Sequence, residues 1–344
     1  MTSVRCVSTE DESRPSFASR VTHLRRQYEI YFKKVCGSAA PYESLTAWFL
    51  FQFCESSWSS AQKYRIEQLP IRGRSPLLRY LRYTMCRAVD VNDAANAIDS
   101  FLVEIWNESE KGLFSNKTKL PRTLTDLQTI FDVSANLLDR LHARYIGLDF
   151  ESDLVYMFVN YDSLFGFSRG EGRGWQLSIP PSFHALLVSE FSVTCEAFAS
   201  PVNTQSVSFY SLFSEDICFG SLGNFFAARS TPTVMEVNPP FEPLIMDRTV
   251  TKLEEQLLND KHLFVVILPI WGPIERVESS AFFQESIHLE KGHHEFTNGW
   301  PYHAPVSGPR PVWNDSASVI CILSNMNFTL TDDLIERLKN SWIA

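Results

Sequence analysis

The sequence predicts an α/β, Rossmann-like domain over residues 151–344, preceded by an all-α domain over 17–150 and a disordered start over 1–16. Three observations carry that expectation. Up to about residue 147, apolar residues recur at helical spacing with few strand-like runs. Beyond 150, short runs rich in β-branched and aromatic residues take over, bounded by turn residues. Within that half, Thr233–Val237, a double-proline turn, a helical pattern over 242–259 and the apolar run His262–Trp271 make a strand–helix–strand crossover, the unit of a parallel sheet. At 344 residues, 44% hydrophobic and 21% charged, the chain has material for both domains.

Met1–Pro15 is polar and acidic and lacks the apolar core of a signal peptide. Tyr28–Phe32, Leu45–Phe53, Leu77–Val91, Asp93–Glu108 and Leu124–Tyr145 each read as a packed helix, and Asp90-Val-Asn-Asp supplies an N-cap for the fourth. The segment 109–121, with its Lys, Gly and Pro, is a loop. Strands are expected at Val193–Ala199, Ser206–Phe213, Val234–Val237, His262–Trp271, Glu285–Leu289 and Ser318–Leu323. An amphipathic helix, Thr331–Trp342, ends the chain.

Composition narrows the function. A net charge of −9 opposes a protein that grips long nucleic acid through many phosphates, yet leaves room for a short, end-specific RNA. Arg79 and Arg82, interleaved with Tyr80 and Tyr83, read equally as a solvated helix face or an RNA-facing patch. Seven cysteines, an odd number without Cys-x-x-Cys, fit a reducing compartment and no zinc site. The longest apolar run is about ten residues, too short for a membrane span.

The most informative stretch is Asn238-Pro239-Pro240-Phe241. Consecutive prolines cannot continue a strand or enter a helix interior, so the backbone makes a rigid turn. Such a turn after a buried strand gathers a carboxamide, two carbonyls and an aromatic face. Asn238 can accept from an exocyclic amine, a proline carbonyl can take the second N–H, and Phe241 can stack on the ring. These groups suit amine methylation. The competing reading makes Asn238 the N-cap of the following helix.

Cys195–Asn203 is not a Gly-x-Gly-x-x-Gly loop. Downstream, Asp216 suits a ribose diol, and Gly220 and Gly223 permit close backbone approach. Trp271 either stacks on a base or closes the core. His293-His294-Glu295-Phe296 suggests a metal site to the eye, but strand neighbours point to opposite faces and no further ligand sits at suitable spacing, so no metal is expected.

Taken in order, Ile179-Pro-Pro-x-Phe183, Ala197-Phe-Ala-Ser-Pro-Val-Asn203, Asp216-x-x-Phe-Gly-Ser-x-Gly223, Glu236-x-Asn-Pro-Pro-Phe241, Leu268-Pro-Ile-Trp271 and His294-Glu-Phe-x-x-Gly299 resemble the phosphorylated-CTD-interacting-factor family of cap-specific adenosine N6-methyltransferases. The resemblance spans about residues 175–325. It implies a class I S-adenosyl-L-methionine-dependent methyltransferase fold, and methyl transfer to N6 of the adenosine, usually 2′-O-methylated, beside an mRNA cap. By carry-over, Asn238, Pro239, Pro240 and Phe241 hold the target adenine, and Glu236 lies beneath them near the cofactor. Ser200, Pro201 and Asn203 line its methionine end, and Asp216 and Ser221 its adenosine end. His294, Glu295 and Phe296 face the substrate, unless they are only a strand edge. The implied partner is the capped RNA 5′ end, with RNA polymerase or capping machinery through surfaces not specified, and the implied residence is nuclear. The N-terminal region lacks the paired-tryptophan pattern of a WW module, so recruitment through one is not expected from it. Other readings are N6-adenine methylation of internal RNA or DNA, amine methylation of a protein glutamine, and a catalytically inactive RNA-binding scaffold.

Overall fold

The computed structural model describes residues 17–55, 77, 81, 91–109, 123–169, 173–299, 311–313 and 316–342. The expected disordered start, the loop 109–121 beyond Ser109 and Thr123, and the Leu77–Val91 helix apart from Leu77, Leu81 and Val91 lie outside them. The chain forms two compact units, each described below by itself.

The first unit comprises the described residues of Met1–Val133 and Gly147–Gly172. Its described elements are helices: α1 (Phe17–Cys36), α2 (Tyr42–Glu55), α3 (Val91–Ser109), α4 (Leu124–Ile130) and α6 (Phe150–Phe165). Apolar residues of α1 and α3 recur at helical spacing and meet in one core, where Phe17, Phe49 and Trp106 pack edge to face. Arg20 is buried there: its guanidinium lies 4.0 Å from the Trp106 ring centroid and donates to Ser109 Oγ and Trp106 O. The expected single helix Leu124–Tyr145 is two, because the extended backbone at Phe131 ends α4 and Ser134 caps a new start.

That new start is α5 (Ala135–Arg144), which belongs to the second unit, Ser134–Ile146 with Arg173–Ala344. The expectation drew one boundary at 150; here the two units interleave in sequence. The second unit also holds α7 (Pro181–Phe191), α8 (Pro243–Asn259), α9 (Ile274–Glu278) and α10 (Asp332–Asn340). Its strands are β1 (Leu177–Ser178), β2 (Cys195–Ala199), β3 (Ser208–Ser211), β4 (Val234–Val237), β5 (Leu263–Pro269), β6 (Phe283–Leu289), β7 (Glu295–Asn298), β8 (Pro311–Trp313) and β9 (Ser318–Ser324).

Six strands form a mixed sheet in the order β3-β2-β4-β5-β9-β6. Neighbours from β3 to β5 are parallel, and β9 runs antiparallel to both β5 and β6. Every residue of β5 and β9 is buried, as strands covered on both faces require. On one face Met235, Val237, Phe264 and Val266 pack under Met246, Val250 and Leu253 of α8. On the other, Val265, Ile267, Ile320 and Ile322 pack under Phe183 and Leu187 of α7 and Leu338 of α10. Each such side chain contributes about 1.5–3 kcal/mol by leaving water. The result is an α/β unit with a central mixed sheet between helices. A smaller antiparallel sheet, β1-β7-β8, stands beside it.

Candidate active site

Strands β3 and β4 pair on opposite sides of β2, so strand order reverses there. In open α/β sheets the loops leaving the carboxyl ends of strands at such a reversal diverge and leave a crevice for a ligand. The two loops are 200–206 after β2 and 238–242 after β4.

The first loop is tied down throughout. Ser200 N donates to Asn203 Oδ1 at 2.6 Å, and Ser200 Oγ lies 2.8 Å from Gln176 Oε1 and 3.0 Å from Asn203 Oδ1. Thr204 Oγ1 and the amides of Gln205 and Ser206 all donate to Glu196 Oε1, at 3.0, 2.6 and 2.6 Å. From α5, Arg140 donates to Val202 O and Arg144 to Ser206 O. Ser200 and Pro201 are buried and Asn203 is half-buried.

The second loop is stiffened by its prolines and is otherwise sparsely bonded. Helix α8 is capped by Glu242, whose carboxylate accepts from Leu244 N and Ile245 N, with Pro243 at the first helical position. Asn238 is therefore not the cap. Its Nδ2 donates to Leu177 O at 3.2 Å, which fixes the carboxamide's orientation, and Oδ1 has no donor among the described residues. Pro240 O is taken by Glu242 N at 2.7 Å, which leaves Pro239 O as the carbonyl still open. Phe241 is half-buried and meets Trp271 at 6.5 Å and Phe296 at 5.8 Å, both edge to face.

Glu236 and Glu196 sit side by side in register on β4 and β2. Glu236 is only 2% exposed, and no described residue donates to its carboxyl group. Burial first, then the Glu196 charge, push Glu236 well above the usual carboxylate range. Its place on β4, in register with Glu196, is two residues before Asn238.

The remaining expected residues divide. Asp216 is buried in the 3-10 turn after β3, and its carbonyl accepts from Ser221 N. Ser221 forms a parallel bridge with Phe209, and its hydroxyl is 2.6 Å from Ser211 Oγ. Gly220 and Gly223 both have φ of +91°, the left-handed backbone that glycine permits. Trp271 follows β5 and is 44% exposed. His294 and Phe296 depart from expectation. His294 is fully buried, with Nδ1 at 2.9 Å from Glu290 O and Nε2 at 2.9 Å from Ser318 Oγ. Phe296 is buried between Phe241 and Trp342. Both side chains are taken up in the packing of this unit. Glu295 alternates with them on β7 and is also buried. Among the described residues no group of His, Cys, Asp and Glu could hold a metal, and no helix is long and apolar enough to cross a membrane.

Sequence reading missed Gln176, Glu196, Arg140 and Arg144. The one available signal was Glu196, a carboxylate inside an apolar strand run.

The family model described as phosphorylated CTD interacting factor 1 WW domain matches residues 128–299, half of the chain. The chain belongs to the phosphorylated CTD interacting factor 1 family. The segment matched in this family member runs from α4 through β7 and contains both crevice loops. Two relatives, from Mus musculus and Homo sapiens, are each named mRNA (2′-O-methyladenosine-N(6)-)-methyltransferase and are 32% identical to it over 147 residues. That stretch is 40% of this chain and 21% of each relative, so the chain matches about a fifth of the length of these curated relatives.

Proposed function

We propose that this chain is an S-adenosyl-L-methionine-dependent RNA methyltransferase that methylates N6 of the 2′-O-methyladenosine next to an mRNA cap, on a class I methyltransferase sheet. The observation that carries the reading is the Asn238 carboxamide, held through Nδ2 by Leu177 O and so oriented with Oδ1 open. Oδ1 and Pro239 O are two acceptors for the two N–H groups of an adenine amine. Engaging both turns the nitrogen lone pair out of conjugation with the ring. Phe241 supports the base from beside Trp271.

The crevice fits the cofactor by its donor set. Glu236 is a buried acid with no donor among the described residues, in register with Glu196 on β2, and Asp216 after β3 suits a ribose diol. Ser200, Pro201 and Asn203 would lie at the methionine end, and Asp216 and Ser221 at the adenosine end. S-adenosyl-L-methionine, when bound, supplies an electrophilic methyl group. Asn238 and Pro239 orient the amine toward it, and the proton leaves the nitrogen after the methyl arrives, so no general base is required. A first transcribed nucleotide needs little unstacking before it enters such a pocket, which is compatible with the net charge of −9. The relatives' printed name supports a 2′-O-methyladenosine of mRNA as the substrate; the cap-adjacent position, nuclear residence and contact with the transcription or capping machinery are part of the reading proposed here.

The test is transfer from labelled S-adenosylmethionine to a short RNA beginning m7GpppAm, beside the same RNA uncapped. Transfer to the capped RNA alone, absent in Asn238→Ala, is the expected result. Equal transfer to both would move the substrate to an internal adenine. Cofactor binding without transfer to either would point to another amine, such as a protein glutamine. Absence of cofactor binding would leave an RNA-binding scaffold.

A further inference from the structure

Three consecutive residues at the edge of the crevice each hold one of its loops. Gln176 Oε1 accepts from Ser200 Oγ at 2.8 Å, Leu177 O accepts from Asn238 Nδ2 at 3.2 Å, and Ser178 Oγ donates to Asn203 O at 3.3 Å. The loops leave different strands, yet both are referenced to one short segment. That segment is itself fixed by β7, through the pairs Leu177↔Asn298 and Ser178↔Thr297, and by Gly299 N, which donates to Gln176 O at 2.9 Å. Gly299 is there for space. A Cβ on it would stand 2.2 Å from Asn203 Cβ and 2.9 Å from Gln176 O, and nothing there can yield without moving the turn or the strap.

Resting on the function proposed above, we propose that Gln176–Ser178 is a positioning strap that couples the cofactor-side turn to the substrate-side carboxamide. Gln176 and Gly299 are its positioning residues, and neither is among the groups that hold cofactor or base. One peptide plane separates the Gln176 carbon frame, which carries Ser200, from the Leu177 carbonyl, which aims Asn238. A displacement of the Ser200–Asn203 turn therefore reaches the Asn238 acceptor through a stiff path. Reactive geometry is sensitive to such shifts, since a misplacement near 1 Å costs about 10²-fold in rate.

The experiment compares wild type with Gln176→Ala, Ser200→Ala, the double variant and Gly299→Ala. Affinity for S-adenosylhomocysteine is read by calorimetry, and kcat at saturating cofactor and capped RNA by methyl transfer. Amide hydrogen exchange of 200–206 and 238–242 is followed in the ligand-free protein. Gln176→Ala should weaken S-adenosylhomocysteine binding and lower kcat, each by roughly 10-fold, as expected when a buried hydrogen bond loses one partner. Adding Ser200→Ala should cost less than it does in the wild type, because the two variants share the Gln176–Ser200 bond. Exchange should rise in both loops together. Gly299→Ala should lower kcat by about 10²-fold; if it does not fold, Gln176→Ala still decides. Weaker binding with kcat intact, or faster exchange in 200–206 alone, would show that the loops are uncoupled and overturn the proposal. No change in either loop would reduce the strap to packing. Loss of methyl transfer in wild type would instead defeat the proposed function, while the exchange measurement still judges the strap.

Discussion

The two crevice loops are built on opposite plans. The loop after β2 is held by side chains brought from elsewhere: Gln176, Glu196, Arg140 and Arg144 all bind it. The loop after β4 relies on its own covalent stiffness, with two prolines, the Glu242 cap of α8 and one bond to another segment, from Asn238 to Leu177 O. The first has spent its polar groups on being rigid and presents a fixed cradle. The second keeps Asn238 Oδ1 and Pro239 O open and presents acceptors. A binding site that must hold one ligand still while orienting another can divide the work in this way.

The largest effect expected from breaking that division is at Asn238. Asn238→Ala should lower turnover by about 10²–10³-fold, the usual loss when one preorganised polar group is removed from a reacting centre. Because the first loop does not depend on it, affinity for S-adenosylhomocysteine should stay within about twofold in calorimetry, well below the loss of one hydrogen bond. An equal fall in both would mean that Asn238 also holds the cofactor-side loop.

Glu196→Ala attacks the other loop. It strips one carboxylate from Thr204 Oγ1 and two amides, and should cost about 2–3 kcal/mol of stability. Urea midpoints would report it, and cofactor affinity should fall with them. Phe241→Ala should follow at about 1–2 kcal/mol in RNA affinity, the scale of one base–aromatic contact. An unchanged Michaelis constant for RNA would remove Phe241 from the substrate side.

The smallest effects are in pH. His184 and His294 are both held below the ordinary histidine value, chiefly by burial. The unfolded chain takes up protons below about pH 6.5 that the native state refuses. Stability should therefore fall as pH drops through that value. Glu236 acts in the opposite sense: its folded value is raised, so its contribution is full at acid pH and is lost as pH rises above the usual carboxylate range. Melting temperature against pH should show both arms. Glu236→Gln should flatten only the alkaline one, and a flattened acid arm would contradict the assignment.

How much of this was legible in the sequence follows the same division. Asn238–Phe241 could be read because proline constrains its own backbone wherever it stands. Val234–Val237 and the apolar β5 and β9 were equally plain, because strands buried on both faces must be continuously apolar. The bonds of the first loop could not be read. Gln176 is 24 residues from Ser200, and Arg140 is 62 from Val202, and nothing local in either sequence requires the pairing. Helix α6 was missed for another reason. Eleven of its 16 residues are buried, including Asp153, Asn160 and Ser163, so its periodicity is blurred. His294 entered the candidate site through the family resemblance, and its burial with contacts to Glu290 O and Ser318 Oγ is set by residues 4 and 24 positions away, which no local pattern announces.

The interleaving of the two compact units has a consequence for synthesis. Helix α5 leaves the ribosome before any strand it braces exists, and Arg140 and Arg144 must wait for acceptors 62 residues downstream. At ribosomal speeds of about 5–20 residues per second, that wait is roughly 3–12 s. Throughout it, an amphipathic segment with two basic side chains stands without its counterpart, while Gly147–Gly172, emerging next, completes the earlier unit. The nascent protein must hold an early piece in reserve for a later one. A chain started at residue 151 would never possess it.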